Sequence, residues 1–193
     1  MPGGVSQLEQ AQPEPLPQSG TLVAFFSKTG ETYGLGNVEK GNTRLVAEII
    51  ALRTGADLFE IRSAKPYPES YQETTEIARM EKNTKARPAL LGVLPDFSVY
   101  SRIFLGYPIW WSDMPMPLYS FLRSAAPLLE KKTIIPFCTH EGSGFCQTAR
   151  SISEMLPSSR VLYGRAFYGH KVHNNRESTL QEVDAWLEAL KRR

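Results

Sequence analysis

Three short, nearly continuous apolar runs constrain this chain more than any other feature: TLVAFFS at 21–27, RIFLGY at 102–107 and KTIIPFC at 132–138. A strand exposed on one face alternates apolar and polar residues, whereas a strand covered on both faces does not need to. Runs of this kind therefore call for a sheet sandwiched between two helical layers. Helical patterns occupy the intervals. Leu45, Val46, Ile49, Ile50 and Leu52 recur at helical spacing within 42–54, with Asn42 or Thr43 as a candidate cap and Gly55 where a left-handed residue closes a helix. DLFEIR at 57–62 alternates and reads as a strand nearer a sheet edge. A helix is expected around 115–125, with two prolines in its first turn, where proline is tolerated. Phe145, Ala149, Ile152 and Met155 mark another that Pro157 ends, RVLYGRAFY at 160–168 reads as the fifth strand, and Ser178-x-x-Gln181 reads as a capping box opening the last helix. The stretch 67–82 reads as weakly helical at best, and 83–98, with Pro88, Gly92 and Pro95, as a loop. Five strands alternating with helices predict an α/β fold with a doubly wound parallel sheet.

Composition narrows the function. Of 193 residues, 41% are hydrophobic and the net charge is only +2, so no clustered basic surface for nucleic acid is expected. No apolar run is long enough to span a membrane. Residues 1–20 hold four Pro, four Gln and three Gly with no Lys, Arg or aromatic. That composition predicts a disordered tail ahead of a single domain at 21–193. It lacks the basic start and apolar core of a signal peptide, so a cytoplasmic location is expected, the alternative being an exported protein whose signal has been removed. The two cysteines, Cys138 and Cys146, are too few for a disulfide scaffold and read as a buried thiol and a loop thiol.

In open parallel sheets, ligands sit beyond the carboxyl ends of the strands where strand order reverses. Three loops lie there. The first begins Ser27-Lys28-Thr29-Gly30 and ends Gly41-Asn42-Thr43 at a helix start, a setting suited to an anion or to ordinary helix capping. GNVEKGNT at 36–43 places Asn42 where a nucleotide-triphosphate loop needs lysine, and Glu39 stands where a dinucleotide fingerprint needs its third glycine. Both motifs fail. An acidic pair after the first strand, required of a phosphorelay receiver, is also missing. The second loop carries Pro108-Ile109-Trp110-Trp111, where neighbouring side chains diverge and at least one indole should reach the surface. The third, Thr139-His140-Glu141-Gly142-Ser143-Gly144, ends in small residues expected to open a helix and offers polar groups for a ring edge; His140 and Glu141 lack the partner that acid–base catalysis would need. His170 and His173 form a loose H-x-x-H in a predicted loop, without the further ligands of a zinc site. One ligand combines an anion, a planar ring and polar ring edges: flavin mononucleotide (FMN).

The segments TLVAFFSKTG, GNTRLVAEIIALRTGADLFEI, KPYP, FLGYPIWW, MPMP and KTIIPFCTHEGSGF resemble the flavodoxins in their order and spacing. The resemblance spans nearly the whole chain beyond the tail. It implies the five-stranded flavodoxin-like sheet of order 2-1-3-4-5 and non-covalently bound FMN. It further implies phosphate contacts from Ser27, Thr29, Asn42 and Thr43, with Lys28 and Gly41 lining the loop. Pro108, Ile109, Trp110 and Trp111 would flank the isoalloxazine, and Thr139, His140, Glu141, Gly142, Ser143 and Gly144 would meet its other edge. Many flavodoxins run straight from the Thr-Gly pair into Asn-Thr. Here Glu31–Lys40 intervene, and Tyr33 becomes a candidate cover for the ligand. The expected role is an electron carrier, a monomer or weak dimer with transient redox partner proteins. The alternative is an FMN-dependent NAD(P)H oxidoreductase acting on quinones or nitro compounds.

Overall fold

A computed structural model of the protein describes residues 20–192, so the tail expected at 1–20 lies, Gly20 apart, outside the described residues. The central sheet runs in the spatial order β4 (Asp57–Glu60), β1 (Thr21–Phe25), β5 (Arg102–Pro108), β6 (Thr133–His140), then β7 (Arg160–Val161) and β8 (Arg165–Tyr168) end to end along β6. Every pairing in it is parallel. Counting β7 and β8 as one interrupted strand, this is the expected 2-1-3-4-5 order. DLFEIR does form an edge strand.

The buried runs divide between two cores because successive side chains leave a strand on opposite faces. Leu22, Ala24, Ile103, Leu105, Ile134 and Cys138 join the core under α3 (Met116–Ala125) and α4 (Thr148–Met155). Val23, Phe25, Phe104, Ile135 and Phe137 join the other core under α1 (Asn42–Thr54) and α6 (Arg176–Lys191). A sheet covered on both faces is what the unalternating runs required.

The fifth strand departs from the continuous 160–168 expected. Ile134 pairs with Val161 and Phe137 with Arg165, so three edge residues face two on β6. One of those two is Pro136, which has no N–H to donate, and a bulge is where a sheet tolerates such a residue. Gly164 lies so close to the Pro136 carbonyl that an added Cβ would overlap it. Gly164→Ala is therefore expected to cost about 1–3 kcal/mol, a fall in Tm of roughly 3–10 °C by calorimetry.

Four local expectations are corrected. The stretch thought weakly helical contains α2 (Tyr71–Asn83), whose start is capped by Ser70 Oγ accepting from the Glu73 amide at 3.3 Å. Ser70-x-x-Glu73 is a helix-start signature that outweighs the charged, weakly apolar body of the helix. His170 and His173 sit in a short helix, α5 (Gly169–Asn174), rather than a loop. The last helix begins at Arg176, capped by Asn175 Oδ1 accepting from the Ser178 amide at 2.9 Å, so Ser178 is inside it and not its cap. Gly142–Gly144 do not open a helix, since α4 starts only at Thr148. The long first loop is also ordered: β2 (Gly30–Thr32) and β3 (Gly36–Val38) pair as an antiparallel hairpin. No helix among the described residues is long and apolar enough to cross a membrane.

Candidate functional site

The three loops meet, as strand order required, at the carboxyl ends of β1, β5 and β6. The Ile109 amide donates to the Thr139 carbonyl at 2.8 Å, carrying the β5–β6 pairing past Pro108 into both loops. Thr43 Oγ1 and Thr139 Oγ1 share a buried hydrogen bond of 2.7 Å, which ties the start of α1 to the end of β6. Between the loops lies a cavity of about 420 Å³, within the ~300–1,000 Å³ span of small-molecule sites.

One end of the cavity is the N-terminus of α1. The N-cap is Gly41, which has no side chain to offer, so neither Asn42 nor Thr43 is the expected cap. The Arg44 amide finds Ser27 Oγ at 3.2 Å. The amides of Asn42 and Thr43, in the first turn, have no carbonyl four residues back within the helix to bond. Asn42 also carries Oδ1, a buried side-chain atom with no hydrogen-bond partner among the described residues. Buried polar atoms are satisfied in folded proteins unless a ligand or water completes them. Gly41 is fixed by space, not by its backbone angle (φ −68°): a Cβ there would collide with the Lys28 carbonyl and Ser27 Oγ.

The other end is aromatic. Trp110 stands edge-on to Phe26, with centroids 5.4 Å apart, and to Tyr67 at 5.1 Å. Trp111 is 45% exposed. Its Nε1–H donates to the Thr75 carbonyl at 2.9 Å, and the Arg79 guanidinium lies over its ring. The indoles thus diverge, one packed and one leaning on α2. Trp111 (φ 51°) and Ser112 (φ 60°) form the corner of a tight turn closed by reciprocal Trp110–Asp113 backbone bonds of 2.9 and 3.0 Å. Two adjacent left-handed residues are normally Asn-Gly, so this turn holds strain of the kind found at ligand clamps.

Four ionisable groups around the cavity, Lys28, Glu31, His140 and Glu141, are engaged by partners within the protein. Lys28 Nζ donates to the carbonyls of Thr29 (2.9 Å), Glu31 (3.3 Å) and Glu69 (3.1 Å). Burial lowers its pKa from the ordinary lysine value against the pull of Glu31 and Glu69. Glu31 Oε2 accepts from the Tyr71 amide at 2.8 Å. Burial also lowers the His140 pKa, so at neutral pH its Nδ1 is free to accept, and it does so from the Gly142 amide at 2.9 Å. Glu141 pairs with His170 Nδ1 at 2.5 Å.

Of the residues expected at the site, Ser27, Lys28, Asn42, Thr43, Pro108, Ile109, Trp110, Trp111, Thr139, His140 and Glu141 line the cavity. Thr29, Gly41, Gly142, Ser143 and Gly144 do not. Thr29 supplies a carbonyl to Lys28, and Gly41 lies behind the wall. The 142–144 segment turns away, the Gly144 carbonyl facing the buried Cys138 thiol at 3.8 Å. Tyr33, the expected cover, does line the cavity. Sequence reasoning missed the wall built by Tyr71, Thr74, Thr75 and Ala78 of α2. The Ser70-x-x-Glu73 signature was the signal that could have placed it.

This arrangement fits a flavin nucleotide: a helix start whose first two amides have no partner within the helix, with an unpartnered buried amide oxygen beside them, and a pair of indoles lining the same cavity. The comparison with family models decides the assignment. A model described as flavodoxin matches residues 20–190. The chain belongs to the flavodoxin family. Among solved structures, the chain resembles a protein of Bacteroides eggerthii DSM 20697 described as a flavoprotein, at 27% identity and TM-score 0.65, over 88% of this chain and 96% of that one. A second flavoprotein so described, from Bacteroides uniformis ATCC 8492, gives 27% and 0.66 over 85% and 97%. A flavoprotein from Lactobacillus acidophilus NCFM, solved in complex with FMN, shares the fold at 19% identity and TM-score 0.61, over 76% and 91%. No curated protein matches the sequence.

Proposed function

We propose that this flavodoxin binds FMN non-covalently and carries electrons between redox partner proteins. The observation that carries the reading is the cavity's polarity: the start of α1 with buried Asn42 Oδ1 at one end, Trp110 and Trp111 at the other. Bound FMN supplies reversible electron transfer at its ring.

The chain's own residues divide the binding between them. The Asn42 and Thr43 amides and the Ser27 hydroxyl, at the electropositive helix end, would hold the phosphate. The Asn42 side-chain oxygen would accept from a donor of the bound ligand, because only a donor satisfies it. Pro108, Ile109, Trp110 and Trp111 would flank the ring, and Thr139, His140 and Glu141 would line its other edge. Lys28 organises the loop from behind. The carrier role is supported by the commitments of Lys28, Glu31 and Glu141 to protein partners, which leave no free acid or base for substrate chemistry among them. Partner proteins then dock transiently over the exposed edge near Trp111.

A second reading rests on the α2 wall. Tyr71, Thr75 and Ala78 beside the indoles give room for a planar acceptor, as an FMN-dependent NAD(P)H oxidoreductase would need. One titration separates the two. The purified chain is mixed with FMN, its visible spectrum recorded, and the complex reduced anaerobically with dithionite, then in a fresh sample with NADPH. The carrier predicts flavin retained and reduced by dithionite but only slowly by NADPH. Rapid NADPH oxidation in the presence of a quinone would instead support the reductase, and failure to retain flavin would overturn both.

A further inference from the structure

We infer that the β2–β3 hairpin is a strap, clasped at its tip by His170, that closes the cavity over the phosphate end of the cofactor and so selects a flavin mononucleotide against a dinucleotide. The inference rests on the FMN reading above.

The hairpin springs from the phosphate loop and is fastened on both sides of the cavity mouth. On the α2 side, the Glu31 amide donates to the Glu69 carbonyl at 2.8 Å, and Glu31 Oε2 takes the Tyr71 amide at the start of α2. Gly30 (φ 87°) lies so near Glu69 that a Cβ would stand 3.0 Å from its backbone. Lys28 Nζ bridges the Glu31 and Glu69 carbonyls beneath. On the opposite side, the tip meets α5. A Cβ at Gly34 (φ 67°) would stand 2.5 Å from His170 Nε2 and 2.7 Å from Cε1. The Tyr33 ring is edge-on to the same imidazole, with centroids 6.4 Å apart.

His170 is itself held for this role. Glu141, from the loop after β6, grips Nδ1, and the Tyr168 ring stacks at 5.8 Å and 21°. Both Glu141 Oε1 and Asn42 Nδ2 crowd Gly169, next in the chain. The clasp therefore stands directly beside the orphaned Asn42 amide at the start of α1. Little else secures the hairpin: of its strand residues, only Gly30 and Val38 are buried. An FMN phosphate ends the ligand at α1. A flavin dinucleotide continues from that phosphate into a second phosphate and an adenosine, which need an opening where the strap crosses. His170 is accordingly a positioning residue, acting on the cofactor through the hairpin.

The test measures equilibrium binding of FMN and FAD, and FMN dissociation, by quenching of flavin fluorescence. It uses wild type, His170→Ala and Gly34→Ala, each checked for folding by circular dichroism. The two variants loosen the clasp from opposite sides, so one misfolding leaves the other informative. Wild type is expected to prefer FMN. Each variant should release FMN about tenfold faster and lower the FMN-to-FAD preference by a similar factor, a change a merely structural role would not make. Hydrogen exchange of the 30–38 amides should quicken in both variants. A wild type that accepts FAD as tightly as FMN, or folded variants with unchanged preference and release rate, would overturn the strap while leaving FMN binding intact. A wild type that binds no flavin would overturn the cofactor reading and the strap with it.

Discussion

Replacing Gly41 by alanine is expected to raise the Kd for FMN by about 100-fold, equivalent to roughly 3 kcal/mol, with a much smaller effect on the fold. The reason is local. At φ −68° and ψ 154° the backbone suits any residue, so alanine meets no conformational penalty. What it meets is matter: the Lys28 carbonyl and Ser27 Oγ both occupy the place of the new methyl. Neither is the loose end of a flexible chain. Ser27 Oγ receives the Arg44 amide, and the Lys28 backbone begins the turn into β2. Relief requires the first turn of α1 to move away from the loop, which separates the Ser27 hydroxyl from the helix-end amides that must converge on one phosphate. Gly36→Ala is the control. Gly36, unlike Gly41, has a positive φ, 71°, and no atom within 4 Å of an added Cβ, so alanine there incurs backbone strain of about 1 kcal/mol without a collision. Fluorescence titration of both variants beside wild type checks the claim, and near-native affinity in Gly41→Ala would refute it.

Trp110→Ala carries the second large effect, and here stability and binding should fall together. The indole is wedged between Phe26 and Tyr67 in two edge-to-face contacts, each worth about 0.5–1.5 kcal/mol beyond burial. Tyr67 is anchored in turn by its hydroxyl donating to Glu81 Oε2 at 2.5 Å. Truncation leaves a void that neither ring can fill, and because Trp110 is only partly buried a loss of about 2–3 kcal/mol is expected from the upper-core scale of such deletions. Since the same side chain lines the cavity, FMN affinity should also drop at least tenfold. Trp111→Ala separates the two indoles. Its ring is held by the Thr75 carbonyl and Arg79 on the outside of the molecule, so the apoprotein should unfold at nearly the wild-type temperature. Thermal melts of the apo forms with FMN titrations of both variants give the comparison. If Trp111→Ala alone weakens FMN, Trp111 is the stacking residue.

The sheet was legible in the sequence because burial on both faces removes alternation, and the runs at 21–27, 102–107 and 132–138 could belong to little else. The site was legible where side-chain type and strand end coincide, as at Trp110–Trp111 and Asn42–Thr43. It was not legible where the wall comes from residues of ordinary type. Thr75 and Ala78 of α2 look like any helix surface, and only the crossover geometry turns them inward. The insertion at Glu31–Lys40 was visible as length, but its pairing was not. Three-residue strands with mostly exposed side chains leave no periodicity, and their positions are set by Lys28 just ahead of them and by Glu69 and His170, remote in the chain. The cap of α6 failed for a related reason: Asn175 and Ser178 are both good capping residues, and the sequence alone does not say which one the helix begins behind.

The bulge opposite Pro136 also bears on how the molecule behaves in a crowd. An open sheet ends in two strands whose outer amides and carbonyls invite pairing with a neighbour's. On one side here that strand is only four residues, Asp57–Glu60. On the other, the bulge splits it into pieces of two and four residues, offering no long straight ladder for another chain to zip along. The proline that a central strand would ordinarily reject thus leaves the far border of the sheet too broken to template aggregation.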